Sequence, residues 1–242
     1  PIVGGFLFVH ADWHSIFWLL AAFGALLWFL NWRVLPETLP PADVQSFRPL
    51  PLLRGYWQMA SSRRFMLLTL ASGIPFNGMF LYVLSAPVFL GELLHLGPGQ
   101  FFWFFTLTIA GIMAGSFLSG RLAGRIKPKH QIRHGFVIMV AISLTNLALN
   151  LIFEPQAWWA LWPIAIFAFG WALMVPVVTL MVLDLAPDRR GMASSLQACV
   201  GSLANGLVAG VIAPLVMHST VSLAVASLLM MSIGVVAWIW VK

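Results

Sequence analysis

Long apolar runs separated by short polar connections organise this chain. Runs of about 20 residues cover 15–32, 66–91, 101–120, 135–153, 157–183, 192–216 and 220–241, and an apolar run of that length is long enough to cross a bilayer as a helix. Residues 1–9 read as the tail of one more helix, with Gly4 and Gly5 permitting close packing, and 10–14 as a short loop. The pattern predicts an all-α, polytopic membrane helical bundle of about seven complete spans plus the end of a preceding helix. A barrel is excluded, since it would show short alternating segments. The run 66–91 carries Gly73, Pro75, Asn77 and Gly78 within its apolar stretch. Proline removes a backbone donor and glycine weakens a helix, so this span is expected to be interrupted and to form one wall of a polar pathway.

Composition sharpens the picture. The 242 residues are 61% apolar and 8% charged, with a mean hydropathy of +0.94, whereas soluble domains carry roughly a quarter charged residues. The net charge of +6 would suit a nucleic-acid binder, but its placement argues against one. All thirteen Lys and Arg fall in alternate connections or at the terminus on that side: Arg33 to Arg64, Arg121 to Arg133, Arg189 with Arg190, and Lys242. The opposite connections hold none. Positive charge stays cytoplasmic, so the carboxyl terminus is expected inside. Most tryptophans sit near run ends, as an interfacial belt requires. Trp57 is expected to rest on the membrane surface, and Trp171 alone lies deep within a span, where its N–H needs an acceptor. The prolines Pro36, Pro40, Pro41, Pro49 and Pro51 are expected to bar a continuous helix from the first half of the 33–65 connection. The one cysteine, Cys199, allows no intrachain disulfide. With Pro at position 1 and no charged leader, the chain reads as starting inside a longer protein.

Candidate chemistry is sparse. Asn77, Gln197 and Asn205 lie within spans, where an unpaired amide is costly and must face protein or a cavity; Tyr82 and Ser85 follow Asn77, while Asn146 and Asn150 read as structural. Phe76, Phe80, Phe169, Trp171 and Met174 offer an aromatic, soft lining of the kind that suits bulky lipophilic ligands, with packing against lipid or neighbouring helices as the plainer alternative for each. Ser194, Ala198, Ser202, Gly206 and Gly210 recur at intervals of four and form a narrow ridge, with a shorter one at Gly111 and Gly115. Small residues there admit a close neighbour, for tight packing or for one group of helices to rock on another. All seven carboxylates lie in connections or at span edges, so no proton or sodium relay is visible in the spans. Asp184, with Asp188, Arg189 and Arg190, reads as a charge cluster latching helix ends. His10 with His14 and His130 with His134 have i,i+4 spacing but no third ligand, so no metal site is expected. Nothing forms a nucleophilic triad or a phosphate loop; neither an enzyme nor a cofactor is expected.

These residues together resemble the bicyclomycin/chloramphenicol-resistance type of drug:proton antiporter in the major facilitator superfamily. Pro1-Ile-Val-Gly4-Gly5 is similar to the end of that family's fifth-helix motif. Trp13-His14-Ser15-Ile16-Phe17-Trp18 with Pro36-Glu37-Thr38-Leu39-Pro40-Pro41 resembles its sixth helix and central loop. Leu70-Ala71-Ser72-Gly73, Gly78-Met79-Phe80 and Ser85-Ala86-Pro87 resemble its seventh helix; Pro187, Gly191 and Ala193-Ser194-Ser195-Leu196 resemble the entry to its eleventh. Gly120-Arg121-Leu122-Ala123-Gly124-Arg125 is similar to the superfamily's basic loop signature, except that Gly124 stands where an acid is usual, which puts the latch built on that acid in doubt. The resemblance implies the major facilitator fold, with 1–32 closing an amino-terminal bundle, 33–65 a cytoplasmic central loop and 66–242 a six-helix carboxy-terminal bundle. The second, third, fifth and sixth complete spans would face a central cavity, with the first, fourth and seventh peripheral. It implies a monomeric exporter of lipophilic small molecules working by alternating access and coupled to protons, whose coupling carboxylates lie in the missing amino-terminal part. Substrate contacts would come from Asn77, Phe76, Phe80, Tyr82, Trp171, Met174, Gln197 and Asn205. Gating would fall to Gly73, Pro75, Gly78, Arg121, Arg125, Asp184, Gly206 and Gly210. The alternatives are a metabolite uniporter or importer of the same fold, or a membrane subunit that transports nothing.

Overall fold

The structure, a computed structural model, describes residues 3, 4, 7, 11–36 and 49–241. It divides into two units, Pro1–Pro49 and Leu50–Lys242. Most of the expected preceding helix tail and of its Pro1-to-Gly5 motif, as well as His10, the central-loop positions 37–48 with Pro40 and Pro41, and Lys242, lie outside the described residues.

The first unit contributes one long helix, α1 (Trp13–Val34). Asp12 caps it: Ser15 N–H donates to its Oδ1 at 3.0 Å and the His14 ring sits 3.1 Å from its Oδ2. These contacts satisfy an orphan amide of the first turn, and they hold the Asp12 carboxyl below the ordinary carboxylate range. At the other end the Arg33 guanidinium lies over the Phe29 and Trp32 rings.

The second unit starts with α2 (Pro49–Ala60). Pro49 and Pro51 therefore open a helix rather than bar one, because the first turn has no intrahelical use for the N–H groups they lack. There follow α3 (Arg63–Leu84), α4 (Phe102–Leu122), α5 (Pro128–Ile152), α6 (Trp162–Leu183, preceded by the turn Ala157–Ala160), α7 (Arg190–Leu207) and α8 (Thr220–Trp240). Two π-helical stretches, Pro87–Leu93 and Val208–Ile212, follow α3 and α7. Seven segments are long and apolar enough to cross a membrane, as the pattern of runs predicts. The boundaries differ most at α5, whose helix begins at Pro128 rather than near Gly135: its first two turns are basic, and apolar periodicity does not register them.

Helix α3 is not interrupted. It continues through Gly73, Pro75 and Gly78 to Leu84, which corrects the expectation of a break. The proline costs the ladder one bond, at Ala71 O, and its ring is received by α8, where Gly234 has no room for a Cβ beside it. Gly78 meets Ser227 of α8 and Phe167 of α6 in the same way. The Gly111 and Gly115 ridge of α4 lies against the Ala165 and Phe169 carbonyls of α6 closely enough that a Cβ would clash, so it serves tight packing. Gly135 and Gly170 bring α5 against α6. Small residues thus set the helix spacing where lipid provides no hydrophobic driving force between spans.

The basic ends of these helices meet. The Arg63 guanidinium lies over the Trp240 ring, and Gln131 of α5 donates to Ser119 Oγ of α4 and Leu173 O of α6. The helix α2 packs on the start of α7, with Gly55 against Met192 and Tyr56 Oη 2.8 Å from Ser195 Oγ.

Candidate functional site: a cavity between α3, α6 and α7

A cavity of about 230 Å³ opens between three helices. From α3 come Thr69, Ser72, Gly73 and Phe76, which share one face at i, i+3, i+4 and i+7. Trp171 and Val175, one turn apart on α6, form the second wall. Gln197, Gly201 and Asn205, at intervals of four on α7, form the third. Among the described residues the lining carries aromatic surface, hydroxyls and amides, and no charge.

Ser72 ties the walls together. Its carbonyl accepts the Trp171 indole N–H at 2.9 Å, the acceptor that a tryptophan deep in a span requires. Its hydroxyl donates to Thr69 O at 3.0 Å and accepts from Gln197 Nε2 at 3.2 Å, while Gln197 also reaches Thr179 Oγ1 at 3.5 Å. Above this hub the Trp171 ring tilts against Phe76 at 5.0 Å, and Phe76 stacks on Phe80 at 5.4 Å. Asn205 lines the cavity; its backbone carbonyl accepts from Val208 N–H, and its side-chain amide has no partner among the described residues. Gly73 and Gly201 face each other where α3 and α7 approach. An apolar aromatic body with a few fixed uncharged polar groups holds lipophilic molecules by shape and area, and orients them with one or two hydrogen bonds.

Of the residues singled out from sequence, the cavity gathers Phe76, Trp171, Gln197, Asn205 and Gly73, with Phe80 stacked behind Phe76. Others point elsewhere. Asn77 is buried one turn past Gly73; its Nδ2 donates to Gly73 O at 3.1 Å, and its Oδ1 has no partner among the described residues. Tyr82 faces α5, where its hydroxyl accepts from Asn146 Nδ2 at 2.9 Å and its ring meets Phe89 edge-on. Met174 is fully buried and packs on Gly135. Helix α4 contributes nothing to the lining, because its glycine ridge holds it to α6. Gly206 of α7 and Gly210 of the π-helical stretch after it meet no neighbour within 4 Å among the described residues.

At the basic end, Arg190 pairs with Asp184 Oδ1 at 3.0 Å, joining the end of α6 to the start of α7. Arg121 lies over the Phe117 ring, and Gly124 takes a positive φ of 75° in the following turn, a conformation that suits glycine. Sequence reasoning missed Thr69, Ser72 and Gly201. The signal for them is the shared face: each stands three or four residues from a residue already noted.

Residues 1–209 match the Major Facilitator Superfamily. The chain is 28% identical to an uncharacterized MFS-type transporter, YdgK, of Bacillus subtilis, over 89% of this chain and 53% of that protein. It is 26% identical to a bicyclomycin resistance protein homolog of Haemophilus influenzae (86% and 53%) and to the multidrug resistance protein MdtL of Escherichia coli (84% and 51%). It spans about half the length of these relatives. With seven helices long enough to cross a membrane and a family match over most of its length, the chain belongs to the Major Facilitator Superfamily.

Proposed function

We propose that this chain forms the carboxy-terminal part of a transporter that exports hydrophobic small molecules by alternating access. The observation that carries the reading is the uncharged, aromatic-lined cavity between α3, α6 and α7, set in a bundle of apolar helices. Two relatives named for bicyclomycin and multidrug resistance support the substrate class. The protein works as a monomer in the inner membrane of a bacterium, with its basic helix ends and carboxyl terminus in the cytoplasm. Export is driven by protons entering the cell. Among the described residues no carboxylate lines the cavity.

The test is accumulation of a fluorescent lipophilic cation in cells expressing the full-length gene. Wild type lowers accumulation, and a protonophore abolishes the difference. Trp171→Ala and Gln197→Leu restore accumulation at equal protein level. Unchanged accumulation with wild type rules out export, and efflux that survives the protonophore rules out proton coupling.

A further inference from the structure

The larger opening in the second unit is a groove of about 790 Å³, outside the cavity described above. It runs along α5 and α8 and is amphipathic end to end. Its mouth, at the basic ends of the helices, is formed by Arg64 of α3 and by Lys129, His130 and Arg133 of α5; no carboxylate lines it among the described residues. Beyond the mouth the walls are apolar: Phe136, Val140 and Leu144 on one side, Val235, Trp238 and Ile239 on the other. Between Arg133 and Leu144 a helix rises about 16 Å at ~1.5 Å per residue, close to the roughly 15 Å depth of one leaflet's hydrocarbon.

We propose that this groove is a specific site for an anionic phospholipid, with the headgroup phosphate held by Arg64, Lys129 and Arg133 and an acyl chain laid along α5 and α8. Three observations select this occupant. The mouth concentrates positive charge, with no carboxylate on the lining among the described residues, which fits a phosphate and repels a lipophilic cation. Arginine and lysine at the end of a span reach the headgroup level while their stems cover apolar surface. The apolar stretch lies on helices that cross the membrane, so hydrocarbon chains already bathe it, and Trp238 stands near the end of α8, where an indole meets the interface. Basic pockets between spans bind anionic headgroups by the same physics. The site is independent of the transport reading, since it involves no residue of the α3–α6–α7 cavity.

Full-length protein in mild detergent is titrated with phosphatidylglycerol or with phosphatidylethanolamine of identical chains, and bound lipid is read by native mass spectrometry. Phosphatidylglycerol is retained in preference. Lys129→Gln with Arg133→Gln weakens its binding roughly thirtyfold, since each basic residue near the surface contributes up to about fivefold. Val140→Trp, which fills the apolar run and leaves the charges in place, also expels it. Arg54→Gln, outside the groove, leaves it bound. Equal retention of the two headgroups by wild type overturns the proposal without any variant. Unchanged retention in the charge variant, or a lipid-free dimer closed over the groove, overturns it as well.

Discussion

The two helices that face each other across the cavity, α3 and α7, are held in place very differently. Helix α3 is buried along much of its length, and its Pro75 ring fits where α8 has only Gly234. Among the described residues helix α7 buries Ala193 alone, and a Cβ at its Gly201 or Gly206, or at Gly210 in the π-helical stretch that follows, would meet nothing within 4 Å. Helix α7 is held by Ala193 and Leu196 against the core, by Met192 on Gly55, by the approach of Gly201 to Gly73, and by polar contacts from Gln197 to Ser72, Arg190 to Asp184 and Ser195 to Tyr56. Among the described residues, then, one wall of the candidate site is set by close packing against α8 and the other by fewer contacts.

That contrast can be broken most strongly at α3. Gly234→Leu drives a side chain into the Pro75 ring and costs about 3 kcal/mol, read as a large drop in the melting temperature of purified protein. The same change on the open wall, Gly206→Leu, stays within about 0.5 kcal/mol; equal losses at the two positions would erase the distinction. Trp171→Phe keeps the ring packing and removes the N–H to Ser72 O, lowering stability by about 1 kcal/mol and weakening efflux of substrates that rest on the indole. Tyr56→Phe removes a part-exposed bond between α2 and α7 and costs less, about 0.5 kcal/mol; its mark is faster hydrogen exchange at the start of α7, with α3 unchanged. Smallest is Asp184→Asn. Both partners are more than half exposed, and an exposed ion pair contributes under ~1 kcal/mol, so its melting point barely moves at moderate salt.

The spans were legible because hydrocarbon imposes their length, and the acceptor for Trp171 was legible because a buried indole must have one. The fate of Pro75 was not. Local sequence reports the lost backbone bond, but continuity of the helix depends on a glycine in the last span that no local pattern links to it. Tyr82 misled for a similar reason. It follows Asn77 in the same helix, yet 82 lies more than one turn on and faces Asn146, so adjacency in sequence stood in for a shared face. The ridge on α7 shows the converse. Its spacing marks a surface where a backbone can come close, and spacing cannot say that the described residues leave Gly206 and Gly210 uncovered. Ser72 went unnoticed because a serine in a helix usually bonds its own backbone, as this one also does with Thr69 O.

The central claim is that lipophilic molecules occupy the space between α3, α6 and α7. Substrate protection against a thiol reagent tests it most directly, in full-length protein whose only cysteine replaces Asn205 in one variant and Val137, on the outer groove, in another. The account predicts that an exported compound slows maleimide labelling of Asn205→Cys and leaves Val137→Cys unaffected. Labelling of Asn205→Cys at the same rate with and without substrate, in protein that still transports, would contradict it.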